Sequence, residues 1–195
     1  MPVSSVRFSG AVLCGGQSRR MGRDKALLEV GGVAMAARVA EALRSAGAAE
    51  VFAVGGDTSA LGGLGLHVQR DDRPGDGPLP ATITALRAAN EDLVMVLACD
   101  LLQPSPVAIA ATIAALTEHP GAIGAVPLVD EHRQWAHAAW RTLAAAALVA
   151  AYERGDRSLR RAGADLLVFE VPGIDAAAVA DADEPGDLPT AGGGP

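Results

Sequence analysis

A chain of 195 residues is long enough for one domain with a real core, burying roughly 70% of its unfolded surface. Half of its residues are hydrophobic but only 3% are aromatic, so the core must be built from Ala, Val and Leu, which suits helices packed closely on a sheet. A net charge of −7 speaks against nucleic acid or an anionic membrane as partner, and any phosphate chemistry would need a local basic island.

Short apolar runs alternate with Ala-rich stretches, the pattern of an α/β domain with a mainly parallel sheet flanked by helices. Phe8 to Leu13 reads as the first strand, running into a loop from Cys14 to Asp24. A helix near Ala34 to Ala46 is closed by Gly47. Val51 to Val54 and His67 to Gln69 are the next strands, and Pro- and Gly-rich Arg70 to Pro80 is a loop before a helix at Ala81 to Ala89. Leu93 to Ala98 is the clearest buried strand and ends at Cys99-Asp100.

Pro106 to Leu116 is predicted helical and Ala122 to Val126 a strand. Ala136 to Trp140 is a strand of another orientation, Leu143 to Arg154 a helix, and Leu166 to Val171 a last strand. Residues 1–190 are thus expected to form one domain. Ala191-Gly-Gly-Gly-Pro195 has nothing to bury and is expected to be a disordered tail. Two cysteines are too few for a disulfide framework, and the first residues lack the blocks of a secretory leader. No apolar run approaches the ~20 residues of a membrane span, so a cytoplasmic protein is expected.

The chemistry concentrates after the first strand, in Leu13 to Lys25. Gly15, Gly16 and Gly22 let backbone N–H groups close on an anion, and Arg19, Arg20, Arg23 and Lys25 crowd into seven residues. Open α/β sheets bind ligands at the carboxyl ends of strands, where this loop falls. It is neither a Walker A loop nor a dinucleotide fingerprint. Lys25 is the only lysine in the chain, against fifteen arginines. A compact ammonium on a flexible stem suits a crowded phosphate better than a guanidinium. A basic surface loop that happens to hold glycines would have the same composition.

The pattern Leu13-x-Gly15-Gly16-x-Ser18-x-Arg20-Met21-Gly22-x-Asp24-Lys25 closely resembles the signature of molybdenum cofactor guanylyltransferases, the MobA family of nucleotidyltransferases. Four further segments are similar in the same order. They are Asp71 to Leu79, Leu97-Ala-Cys-Asp100, Gly155 to Arg161 and Asp181 to Leu188. The resemblance implies a Rossmann-like nucleotidyltransferase domain that moves GMP from GTP to the phosphate of molybdenum-bearing molybdopterin. Pyrophosphate would be released and the guanine dinucleotide cofactor formed. It also implies Mg²⁺, and transient contact with cofactor-biosynthesis proteins and molybdoenzymes.

Carried over residue by residue, the nucleotide would meet Leu13, Cys14, Gly15, Gly16, Lys25, Asp71, Gly77, Pro78 and Asp100. Arg20, Lys25 and Asp100 would act in catalysis. Asp100 would bind the metal, joined by Asp181 and Asp183 if these are not simply an acidic strand end. Arg157, Arg160 and Arg161 would meet the acceptor's phosphate, unless they only decorate a helix. An Asp at the end of a strand could equally be a helix cap. Asp72 and Asp76 read as solvated loop charges. His67, His119, His132 and His137 have no metal-ligand spacing and read as structural or solvent-facing. By the same resemblance, the strands leading to Cys14 and Cys99 are central neighbours, which would put the two thiols side by side.

The chain departs from the family pattern at Pro80 (a small residue), Leu102 (Pro) and Glu184 (Thr), which puts loop shape and acceptor fit in question more than metal binding, while Cys14 for Ala is conservative in size. Two alternatives stand. One is a cytidylyltransferase or another NTP:phosphate nucleotidyltransferase, against which Gly15-Gly16 argues because the cytidylyl relatives usually carry Ala-Gly. The other is a non-catalytic pterin-binding assembly module, which would tend to lose the set Lys25, Asp71 and Asp100.

Overall fold

The computed structural model describes residues 6–15, 24–182 and 187. The chain begins its sheet with β1 (Ser9–Leu13), buried along its whole length. A short 3-10 turn at Lys25–Leu27 follows, then a small hairpin of β2 (Glu29–Val30) and β3 (Val33–Ala34). Its two turn residues, Gly31 and Gly32, both have positive φ (62° and 79°), as a tight primed turn requires. Helix α1 (Met35–Ser45) ends where Gly47 takes φ +95° and the Ala48 N–H reaches back to the Leu43 carbonyl, the closure expected there.

Strand β4 (Glu50–Val54), helix α2 (Thr58–Gly63) and strand β5 (His67–Gln69) come next. Helix α3 (Pro78–Ala88) starts three residues before the sequence suggests. Pro78 and Pro80 sit in its first turn, where their missing N–H groups would have had no helical partner. Strand β6 (Leu93–Ala98) is followed by helix α4 (Pro106–Glu118), which Ser105 caps through the Ala108 N–H. Strand β7 (Gly124–Val129) lies two residues later than expected and carries a short partner, β8 (His132–Arg133). Strand β9 (His137–Arg141), helices α5 (Ala144–Glu153) and α6 (Leu159–Ala164), and strand β10 (Val168–Val171) complete the order.

The main sheet runs β10-β7-β9-β6-β1-β4-β5, with β8 on β7. Strands β5, β4, β1 and β6 are parallel neighbours, while β9 is antiparallel to both β6 and β7. The strand of another orientation is therefore β9. Alternation sorts the core into two layers. Val12, Met95 and Leu97 lie in the layer with Val39, Leu43 and Leu116 of α1 and α4. Ala11, Leu13, Val94 and Val96 lie in the opposite layer with Leu79, Leu86, Leu148 and Leu159 of α3, α5 and α6. Aromatics are few, and the two tryptophans share this second layer, their rings 6.1 Å apart. Gly124 and Gly163 make room for them, since a Cβ at either would stand 2.8 and 2.3 Å from Trp140 and Trp135.

Helix α2, the β2–β3 hairpin, β8 and α6 were not legible as elements. Each is only two to six residues long, too short for a hydrophobic period to declare itself.

Candidate active site

The loops after β1, β4, β5 and β6 emerge side by side at the carboxyl edge of the sheet. Hydrogen bonding continues past the strands: Cys14 N–H donates to Val54 O (2.9 Å), Cys99 N–H to Leu13 O (3.2 Å) and Gly55 N–H to Gln69 O (2.9 Å). The β1–β6 register pairs Leu13 with Ala98, so Cys14 and Gly15 leave the sheet beside Cys99 and Asp100. Both cysteines are buried free thiols, adjacent as expected. The Cys99 thiol is pushed well up by its hydrogen bond with Cys14 and by burial.

Close backbone packing shapes the floor. Gly55 has φ +71°, and a Cβ on it would lie 3.0 Å from Gly15 Cα. A Cβ on Gly15 would stand 3.4 Å from Asp71 Oδ2. Asp71 is itself buried (4% exposed), and its Oδ1 accepts from the Arg73 N–H at 2.9 Å, turning the chain out of β5. Gly15 thus lies directly against this carboxylate. Gly55 and its neighbour Gly56 are floor residues that sequence reasoning missed. Their signal was a Gly-Gly pair directly after a strand, the same signal read after β1.

Asp24 caps the 3-10 turn by accepting from Ala26 N–H (3.0 Å), and fully buried Ala26 anchors it. This turn presents Lys25, whose ammonium donates to Asp100 Oδ2 at 2.9 Å. The two side chains are only 18% and 16% exposed. Asp100 caps no helix, that role belonging to Ser105. The C-terminal segment returns to the same lip. Ala182 N–H donates to Asp100 O, Leu102 N–H to Ala180 O, and Leu101 and Asp181 form an antiparallel bridge. Among the described residues, no three His, Cys, Asp or Glu side chains converge as a metal cage. Asp100 offers a hard carboxylate oxygen, the donor type of which Mg²⁺ takes one or two beside water and substrate phosphate oxygens.

Asp71, Gly77, Pro78, Lys25, Asp100, Gly15, Cys14, Leu13 and Asp181 all fall within the described residues. Gly16, Arg20 and Asp183, and the tail at 191–195, lie outside them. Gly77 caps α3 with φ +89°, which lets Pro78 open the helix. Arg157, Arg160 and Arg161 are exposed on and before α6. Asp76 is not simply a solvated charge: its carboxylate accepts from the Tyr152 hydroxyl at 2.5 Å and lies 3.7 Å from Arg157 Nε. Among the histidines, His137 is buried with Nδ1 unpartnered, and burial lowers its pKa to about 4 while Asp100 pulls the other way. His119 stacks on Phe169, and both thus have structural surroundings. No helix among the described residues is long and apolar enough to cross a membrane.

The chain and its fold have counterparts among known proteins. Over 96 residues the chain is 44% identical to a protein of Pelotomaculum thermopropionicum named "Probable molybdenum cofactor guanylyltransferase". That match covers 49% of this chain and 46% of the relative, so it spans about half the length of the curated relative. The fold is similar to that of molybdopterin-guanine dinucleotide biosynthesis protein A from Archaeoglobus fulgidus (TM-score 0.75, 22% identity, 92% of this chain and 94% of that one). It is also similar to that of 2-C-methyl-D-erythritol 4-phosphate cytidylyltransferase from Thermus thermophilus (TM-score 0.67, 21% identity, 91% and 94%). Residues 10–167, most of the chain, match the MobA-like NTP transferase domain, and the chain belongs to that family.

Proposed function

We propose that this protein transfers GMP from GTP to the terminal phosphate of a molybdenum-bearing molybdopterin and releases pyrophosphate. The observation that carries this reading is the Lys25–Asp100 pair, 2.9 Å apart at the lip between β1 and β6, with Gly15 beside it and buried Asp71 against Gly15. An acceptor phosphate oxygen would attack the α-phosphorus of GTP in line. One P–O bond forms to the acceptor, and the bond to the β-phosphate oxygen breaks with its electron pair leaving on pyrophosphate. The attacking phosphate is already ionised, so no protein base is needed, and catalysis is positioning and charge neutralisation.

The residues divide that work. Leu13, Cys14, Gly15 and Gly16 would serve as the phosphate loop, with backbone groups of the Gly-Gly pair reading the guanine edge. Asp71, Gly77 and Pro78 hold the far side of the nucleotide. Lys25 exchanges its contact with Asp100 for the phosphates as they arrive, and Arg20 adds a second cation. Asp100 would hold Mg²⁺, joined by Asp181 and Asp183. When bound, the metal supplies a Lewis acid that offsets charge on the phosphates. Arg157, Arg160 and Arg161 receive the acceptor's phosphate.

The test is pyrophosphate release by the purified chain with Mg²⁺, molybdenum-loaded molybdopterin and GTP, CTP or ATP in separate reactions. GTP should support the fastest release, with the dinucleotide product detected by mass. Equal or faster release from CTP would overturn the guanine assignment. No release with any nucleotide, despite pterin binding, would favour an assembly module.

A further inference from the structure

The segment carrying Gly77 and Pro78 raises a positioning problem. Its first residue, Asp71, is buried, and Leu79 is buried, but Asp72 to Asp76 are all exposed. Within that stretch the backbone makes one local turn, Asp76 N–H to Arg73 O at 3.2 Å. The loop is held from outside at Asp76, by the last turn of α5. Tyr152 donates its hydroxyl to Asp76 Oδ2 at 2.5 Å.

The same tyrosine also holds the following loop. Arg157 Nη1 donates to the Tyr152 carbonyl (2.9 Å) and to the Asp156 carbonyl (2.8 Å), and its guanidinium lies over the Tyr152 ring at 4.1 Å. Arg157 Nε stands 3.7 Å from Asp76 Oδ2, closing the triangle. A Cβ on Gly77 would lie 3.5 Å from the Arg157 carbonyl, so the two loops touch at the residue that caps α3. One residue thus meets both the Asp71–Leu79 loop, through its hydroxyl, and the arginine loop, through its ring and backbone carbonyl. A phenylalanine would keep the stacking and lose only the first grip.

We propose that Tyr152 is a positioning residue. Through Asp76 it fixes Gly77 and Pro78 for the nucleotide, and through Arg157 it locks that loop to the acceptor-side arginines. This rests on the functional reading above. It predicts that Tyr152→Phe weakens GTP binding three- to tenfold, as expected for a charge-assisted hydrogen bond at the surface. Turnover at saturating GTP should stay within twofold of the parent, because the reacting groups are untouched.

The experiment compares the parent chain with Tyr152→Phe, Asp76→Ala and the double variant. Hydrogen exchange, GTP dissociation constants, melting temperature and kcat are measured on each. Support is faster exchange confined to residues 72–77, a weaker GTP constant with near-parental kcat, and a double variant no worse than the poorer single. Unchanged exchange, multiplicative losses in the double variant, or a lowered melting temperature with exchange raised throughout would each overturn the proposal. Should the parent bind no GTP, the functional reading falls instead, and the exchange arm still decides whether the grip exists.

Discussion

The ammonium of Lys25 and the carboxylate of Asp100 hold each other in a mostly buried setting, which keeps either from standing alone at low dielectric. On the proposed function, a nucleotide phosphate would take the place of Asp100 on Lys25, leaving the carboxylate for a cation. Charge is then exchanged between partners rather than created. Asp100→Ala should accordingly lower transfer by ~10³-fold or more. Because Asp100 lies at the end of β6 and not within the packed layers, the fold should survive. Steady-state rates at saturating Mg²⁺, with circular dichroism as the folding control, test this, and near-normal turnover would end the metal assignment. Both residues were legible beforehand, Lys25 because the chain has no other lysine and Asp100 because it follows an apolar strand. Their direct contact was not, since residues 75 positions apart carry no pairwise signal in one sequence. Asp76 is exposed, as a loop charge should be, but its distant partner Tyr152 was illegible for the same reason.

At the scale of elements, the register of β1 with β4 and β6 does most of the positioning. It delivers Gly15, Gly55 and Asp100 to one edge without needing long side chains to reach. The strands themselves were readable as apolar runs, and the edges of several elements moved by two or three residues where prolines or short turns intervened. The Gly55–Gly15 contact is where backbone geometry and site shape meet. At Gly55, φ is +71° and a Cβ would stand 3.0 and 3.2 Å from Gly15 Cα and N. Gly55→Ala must therefore carry a left-handed backbone, ~1–2 kcal/mol, and also displace the phosphate loop. Gly47 offers the control, with φ +95° but open space around its Cβ. Both variants should lose stability in urea, while only Gly55→Ala should weaken GTP binding, by about tenfold. Equal GTP affinity in the two variants would mean that the Gly15 loop tolerates displacement.

For the whole molecule, the Ala-rich composition allows α1 and α4 to press on one face of the sheet and α3, α5 and α6 on the other, and this close packing buries an ionisable ring. His137 begins β9, is 4% exposed, and lines a small cavity with Leu97, Leu101 and Ile109, its Nδ1 unpartnered. Burial lowers its pKa from 6.5 to about 4, against a partial pull upward from Asp100. The sign follows from where the proton goes. Between pH 6.5 and 4 the folded chain keeps His137 neutral, whereas the unfolded chain protonates it. The unfolded state thus binds more protons, and stability must rise with pH across that window. The contribution is fully present above pH 6.5 and is lost as pH falls towards 4, for a total of ~3 kcal/mol at 1.36 kcal/mol per unit. Urea unfolding of the parent and of His137→Leu, at intervals from pH 8 to 4, isolates this part from the carboxylates, which both chains share. The parent should lose ~3 kcal/mol more than the variant over the window, with the curves parallel above pH 7. Parallel curves throughout would show that the ring is solvated in the folded protein, and that β9 does not seal the sheet beneath Asp100.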